Sequence, residues 1–198
     1  MNTVKSFPNQ HYYDGKLTEQ EQEDLTIAVN KIWDSEHKIP VNEQLAGHIE
    51  SEFVLTFTAK KIILPRIYEG VTKICESEGR PVHKWHCDTA WVNFQKKYEV
   101  NPCHIHSGNY SFVLWLNIPF NYEDETNRKE VVKSTQSHQA STFCAAYTDI
   151  TGNIRLENFF LDKKDNGKFI IFPSKLAHFV YPFYTSEDYR ISISGNID

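Results

Sequence analysis

The chain has 198 residues, 40% of them hydrophobic and 24% charged, with a formal net charge of −5. That length supports one unit with a substantial core. The acidic balance argues against nucleic acid as a main partner, because phosphate binding needs a basic surface. No apolar run approaches the ~18 residues of a membrane-spanning helix, and the first residues lack the basic-then-apolar pattern of a secretory signal. Cys75, Cys87, Cys103 and Cys144 show no Cys-x-x-Cys spacing and read as reduced thiols of a cytoplasmic protein. Aromatic residues make up 14% of the chain, which favours strands with large inward-facing side chains over a helical bundle.

Residues 1–17 are polar and aromatic and predict an irregular arm or a short strand. Thr18-Glu19-Gln20-Glu21 has the capping-box pattern. A helix is predicted over Glu19–Ser35, with Leu25, Ala28, Val29, Ile32 and Trp33 on its apolar face. Ile39-Pro40 stops it. Leu45, Ile49, Phe53 and Phe57 recur every fourth residue and predict a second helical region from Asn42 or Glu43 to Lys61. A third helix is predicted from Pro65 to Glu78. Glu50, Glu52 and Lys60 read as a solvated face without a function, and His37, His48, His83 and His138 as surface, hinge or loop residues.

From Pro81 the periodicity changes. Residues 82–97 read as strand, 100–102 as loop and 104–107 as a short strand. Ser111–Ile118 is a near-continuous apolar run that predicts a strand buried on both faces. The charged stretch from Glu123 to Lys133 predicts a solvated loop. Further strands are expected at 140–148, 154–161, 168–172, 177–183 and 189–197. Roughly eight strands and no helix follow residue 89. The expected fold class is mainly β with N-terminal helices (α+β): a helical segment, residues 1–80, supporting a double-stranded β-helix, or jelly roll, over 81–198 in a single domain. The mouth between the two sheets of such a fold suits a small ligand.

The residues that look like chemistry are His104 and His106, with His178 and Arg190 far along the chain. On a strand, residues i and i+2 share a face, so His104 and His106 aim at one spot. By itself the pair also fits two solvated strand histidines. A third imidazole arriving from another strand is how a closed sheet holds a divalent metal. In the last strand, Arg190, Ser192 and Ser194 alternate with Tyr189, Ile191 and Ile193. A guanidinium facing inward must find an anion, either an internal carboxylate or a bound one, and its planar fork suits a carboxylate.

These segments, together with Ala90-Trp91-Val92-Asn93, Asn101-Pro102-Cys103-His104-Ile105-His106-Ser107-Gly108, Phe172-Pro173-Ser174 and Arg190-Ile191-Ser192, resemble the Fe(II)- and 2-oxoglutarate-dependent oxygenase superfamily. The likeness is greatest to its phage-type and uncharacterised bacterial branch, related to prolyl hydroxylases, and covers roughly residues 85–198. The resemblance implies a dioxygenase, most simply a hydroxylase. Such an enzyme couples oxidative decarboxylation of 2-oxoglutarate to oxidation of a substrate C–H bond, with O2 consumed and ascorbate as a possible reductant. It implies His104 and His178 as iron ligands and Arg190 as the anchor of the distal 2-oxoglutarate carboxylate, assisted by Ser192. Asn93 and Tyr110 are expected at the co-substrate pocket. The partners implied are this small-molecule co-substrate and an unidentified primary substrate, in the cytoplasm of a host cell if the chain is phage-encoded.

One position departs from the superfamily pattern. Where a carboxylate ligand normally stands two residues after the first histidine, this chain has His106, so the expected ligand set is His104, His106 and His178. His86-Cys87-Asp88 is a competing His-x-Asp frame, and Asp88 is alternatively a substrate-binding residue. The missing carboxylate also keeps two other readings open. One is a non-catalytic jelly-roll binding or virion-associated module. The other is a three-histidine cupin-type dioxygenase that does not use 2-oxoglutarate.

Overall fold

The structure, a computed structural model, describes residues 10–128 and 139–198. The strands are β1 (Tyr13–Lys16), β2 (Ser51–Val54), β3 (Ala90–Gln95), β4 (Asn101–His104), β5 (Tyr110–Asn117), β6 (Phe143–Thr148), β7 (Ile154–Phe159), β8 (Lys168–Pro173), β9 (Ala177–Val180) and β10 (Arg190–Ile197). The helices are α1 (Glu19–Asp34), α2 (Phe57–Ser77) and the short α3 (Tyr122–Thr126). A six-stranded sheet in the order β1-β8-β5-β10-β3-β2 faces a four-stranded sheet in the order β4-β9-β6-β7. Every pairing is antiparallel. The expected mainly β jelly roll with supporting helices is the observed architecture.

Strand β5 shows why the sheets and helices assemble this way. All of Tyr110–Leu116 is buried, and successive side chains point to opposite faces. Phe112, Leu114 and Leu116 join the core that α1 and α2 build on the outer face of the large sheet. Val113 and Trp115 join a second core between the sheets, with Phe143, Phe172 and Phe183. One apolar run therefore serves two layers, as the unbroken hydrophobicity of 111–118 predicts.

The capping box of α1 forms in full: Thr18 Oγ1 accepts from the Glu21 amide, and Glu21 accepts from the Thr18 amide at 2.8 Å. The expected helix over 42–61 does not form. Residues 42–44 make one 3₁₀ turn, 51–54 pair with β3, and a single helix starts only at Phe57. The fourfold apolar spacing misleads because these side chains do not share a face: Phe53 is in the outer core while Phe57 is 72% exposed. The two expected helices merge across Pro65. Proline in a helix interior costs about 3 kcal/mol. Pro65 and Lys61, whose carbonyl loses its partner, are on the exposed side, where water can bond that carbonyl. Burial of Ala59, Ile63, Ile67, Val71 and Ile74 offsets the loss.

Three further expectations are corrected. Residues 82–89 are not strand, since β3 begins at Ala90. Asn101 and Pro102 are strand rather than loop, and β4 ends at His104. The charged stretch after Asn121 opens with α3, whose Glu125 is fully buried. Residues 129–133 of that stretch, like His138, lie outside the described residues.

The packing leaves no room at Gly195 in β10. A Cβ there would meet Phe112 Cε1 and the Thr89 carbonyl oxygen, each at 2.8 Å. Gly195→Ala is expected to lower stability by about 1–3 kcal/mol through overpacking, measured as a shift in the urea midpoint at unchanged m-value.

Candidate metal centre

Antiparallel pairing of β4 with β9 places His104 directly opposite His178. His106 lies two residues beyond the end of β4, so it reaches the same place from a loop, not from the strand face that its spacing suggests. Its amide donates to the Ser174 carbonyl at 2.9 Å, and Lys175 Nζ donates to its own carbonyl at 3.0 Å. The candidate ligand atoms of the three histidines all lie within 4.8 Å of one another. His106 Nε2 and His178 Nε2 are 3.2 Å apart.

Hydrogen bonds decide which ring nitrogens are free. His104 Nδ1 donates to the Pro102 carbonyl at 2.6 Å, and His178 Nδ1 to the Leu176 carbonyl at 2.9 Å. A carbonyl only accepts, so each Nδ1 carries the proton and each Nε2 keeps its lone pair. Such outward bonds are how metal-bound histidines are usually oriented. Burial holds all three rings neutral. Desolvation, opposed by the Leu176 carbonyl, pushes His178 down to about 3. Desolvation and the neighbouring His104 bring His106 to about 4. His104 is lowered in the same way, opposed by its bond to Pro102. The 3.2 Å contact is a hydrogen bond to the His178 lone pair when His106 carries its proton on Nε2; with that proton on Nδ1 instead, His106 and His178 both offer a lone pair to a cation. A divalent ion that accepts imidazole nitrogen at about 2.0–2.1 Å satisfies both. The donor set therefore fits a resident metal ion.

The rings are held by aromatic walls. Trp91 lies 5.7 Å from His106, while Phe143 at 5.5 Å and Phe172 at 4.9 Å flank His178. Phe143 and Phe172 also separate this centre from a larger cavity of about 500 Å³ between β6, β7 and β8, which none of the three histidines lines. The centre itself opens on a narrow cavity of about 40 Å³, lined by Asn93, Gln95, Asn101, Arg190 and Ser192 among others. That is room for water rather than for a five-carbon diacid.

Arg190 also lines the narrow cavity. It is 1% exposed and is bonded to neutral acceptors: Gln95 Oε1 from Nε at 3.0 Å and Nη2 at 2.7 Å, the Ser141 carbonyl from Nη1 at 2.8 Å, and the Tyr181 carbonyl from Nη2 at 3.0 Å. Ser141 has φ of 61°, a left-handed conformation that costs a non-glycine residue roughly 1–2 kcal/mol. The carbonyl of that strained residue is the one that meets Nη1. Desolvation pulls the guanidinium down to about 9, opposed by the charge of Glu125. Glu125 is itself buried and accepts from the Tyr184 amide at 2.9 Å and the Thr185 amide at 2.8 Å. Alternation in β10 thus turns Arg190, Ser192 and Ser194 to the cavity, and no carboxylate bonds the guanidinium directly among the described residues.

Asn93 and Ser192 are cross-strand partners on this face, and Asn93 Nδ2 donates to Ser192 Oγ at 3.1 Å. Tyr110 is not at the pocket. It sits in the outer core, with its ring against Trp85 and its hydroxyl meeting Arg80 and Cys75. The strand begins at Tyr110, so the alternation that aims Val113 and Trp115 inward aims Tyr110 at the helices. The competing frame is not assembled either: His86 and Asp88 are exposed, and neither joins the histidine group. Gln95, Ser141 and Glu125 are absent from the residues expected at the site. The parity of β3 could have found Gln95, two residues past Asn93. Glu125 is hidden in a run of acidic residues that reads as solvated.

The 2OG-Fe(II) oxygenase family model matches residues 89–196. The chain belongs to that family of 2-oxoglutarate-dependent non-haem iron oxygenases. Compared with curated proteins, the sequence matches none. Among solved structures, a Pseudomonas putida prolyl-4-hydroxylase superposes with a TM-score of 0.59 at 13% identity, over 93% of this chain and 90% of that one. A Trichoplax adhaerens prolyl hydroxylase, in complex with a hypoxia inducible factor oxygen degradation domain peptide fragment, gives 0.58 at 12% identity, over 94% and 81%. The viral collagen prolyl hydroxylase of Paramecium Bursaria Chlorella virus-1, in its 2OG complex, gives 0.53 at 12% identity, over 95% and 96%. At such identities these likenesses establish the fold.

Glu125 supplies the charge nearest in effect to Arg190 and satisfies several buried donors. Glu125→Ala is expected to cost about 3 kcal/mol, since removing a buried charge partner leaves those donors and the guanidinium uncompensated. Glu125→Gln, which keeps an acceptor oxygen, should cost less. Chemical denaturation of both variants checks the order.

Proposed function

We propose that His104, His106 and His178 hold Fe(II), that Arg190 and Ser192 anchor the distal carboxylate of 2-oxoglutarate, and that the chain hydroxylates a C–H bond of a separate substrate. The observation that carries this reading is the convergence of three neutral imidazoles on a cavity that a buried guanidinium also lines. Bound there, iron with 2-oxoglutarate and O2 supplies the family's oxidation: the keto acid becomes succinate and CO2, one oxygen atom enters succinate, and the other enters the substrate as hydroxyl.

The chain's own residues perform the rest. The Pro102 and Leu176 carbonyls fix the ring tautomers and so present Nε2 of His104 and His178 as ligands. Trp91, Phe143 and Phe172 keep bulk water from the imidazoles. Low dielectric around Arg190 strengthens its attraction for a carboxylate. Ser192 Oγ accepts from Asn93 and so has its own hydrogen free to donate to that carboxylate. Gln95 has a distinct part. Its Oε1 occupies the fork formed by Nε and Nη2, so a bidentate carboxylate needs this side chain to rotate away. The narrow cavity widens by the same movement. A three-histidine set also leaves the metal more positive than two histidines and a carboxylate do, and that favours anionic co-substrate binding.

Two measurements test the reading. Purified protein with Fe(II), ascorbate, air and 2-oxoglutarate is expected to form succinate, and His178→Ala to form none. Arg190→Ala is expected to weaken 2-oxoglutarate binding by about 2–5 kcal/mol, as loss of a buried partner of a charge does. An unchanged affinity in that variant removes the carboxylate assignment.

A further inference from the structure

Glu52 reads from sequence as part of a solvated face, yet it is 1% exposed. Its place follows from the strand register. Glu52 is directly opposite Asn93, Asn93 opposite Ser192, and Ser192 opposite Trp115. Directly opposed residues of an antiparallel pair share a face. Asn93, Ser192 and Trp115 line the narrow cavity, so Glu52 is the outer end of that row, on the sheet face that carries the cavity. Its neighbour Phe53 points the other way, into the outer core. The segment before β2 covers it: a Cβ on Gly47 would lie 3.1 Å from Glu52 Oε1, and Ile49 lines the cavity beside it. A bridge between His48 and Val100 brings this segment to the start of β4, where Asn101 also lines the cavity.

Here the polar atoms do not balance. Among the described residues, the buried side-chain atoms without any hydrogen-bond partner are Glu52 Oε2, Asn93 Oδ1, Asn101 Oδ1 and Arg128 Nε. Three of these four are oxygen acceptors: Asn93 and Asn101 line the narrow cavity, and Glu52, outside its lining, is directly opposite Asn93. Leaving a buried acceptor unsatisfied is costly, and more so for a carboxylate. Among the described residues no cation compensates Glu52. The charge acting on it is that of Glu99, also acidic. Arg190, the cavity's own cation, is balanced instead by Glu125.

We propose that Glu52, with the amide oxygens of Asn93 and Asn101, forms a subsite for the ammonium group of the primary substrate, which is therefore an alkylamine or an amine-bearing side chain. An alkylammonium has three N–H donors on a compact cation, which matches three acceptors in number and in charge. Before the cation arrives, burial and the charge of Glu99 push the Glu52 carboxyl up to about 7, so the empty subsite need not hold a naked charge. The proposal rests on the oxygenase reading for the fate of the amine, because the bond oxidised then belongs to a carbon chain held by its ammonium end near the imidazoles.

The test uses the Fe(II)- and 2-oxoglutarate-loaded protein and three probes of one length: n-butylamine, n-butanol and butanoate. Calorimetry is expected to show butylammonium binding at least ten-fold more tightly than butanol, with butanoate weakest. In Glu52→Gln the preference for the amine over the alcohol should fall to two-fold or less, and Asn101→Ala should reduce amine affinity several-fold. Because Glu52 Oε2 has no hydrogen-bond partner among the described residues, Glu52→Gln should melt no lower than the parent. Equal binding of amine and alcohol overturns the subsite, as does an intact preference in Glu52→Gln or a lowered melting temperature of that variant. The two readings fail separately. Amine preference without succinate formation leaves the subsite standing and removes the oxygenase reading. Succinate formation without amine preference does the reverse.

Discussion

The pairing of β4 with β9 is the constraint on which the rest depends. It sets His104 against His178 across two strands of the small sheet, and the loop carrying His106 is tied to Ser174 just before β9. Both attachments are backbone hydrogen bonds, so the triad is positioned by the sheet rather than by the side chains themselves. The large sheet then supplies what the triad lacks. Trp91 of β3 and Phe172 of β8 press on the rings, and β10 brings Arg190 to the same interior. The helices serve at one remove, by covering the outer face of the large sheet and letting its inner face carry polar groups.

That interior is unusually charged for a core. Arg190, Glu125 and Glu52 are all 0–1% exposed, and a buried charge is retained only where hydrogen bonds or a ligand compensate it. Glu125 is compensated by backbone amides and Arg190 by carbonyls and an amide oxygen. Glu52 is not, and it lies on the cavity-bearing face. The contrast separates the two charges that the fold satisfies from a carboxyl that it leaves open, which burial and Glu99 push up to about 7. The cavity wall follows strand parity: Asn93 and Gln95 of β3 and Arg190, Ser192 and Ser194 of β10 line it, while Val92, Phe94, Ile191 and Ile193 between them belong to the outer core.

Local signals carried well from sequence to structure. The capping box and apolar stripe set α1 to within a residue, because both depend on neighbours three or four positions away. The long hydrophobic run set β5, and the His-x-His spacing with a distant histidine found the triad. Other features depend on register, which a single sequence does not state. Tyr110 was expected inward but has the parity of Leu114 and Leu116. Leu45, Ile49 and Phe53 have helical spacing, yet the edge of the large sheet captures Ser51–Val54 as a strand. Glu52 and Glu125 look solvated because composition gives no sign that a carboxylate will be enclosed. The distance from His104 to His178 along the chain is likewise bridged only by the sheet.

The central claim is that three imidazoles, and no carboxylate, hold the metal. Cobalt(II) titration followed by its visible absorption, on His104→Ala, His106→Ala, His178→Ala and Asp88→Ala variants, tests it most directly. The account predicts that each histidine variant loses ten-fold or more in affinity, as loss of a ligand does, while Asp88→Ala binds like the parent. Full affinity in His106→Ala with loss in Asp88→Ala would contradict it.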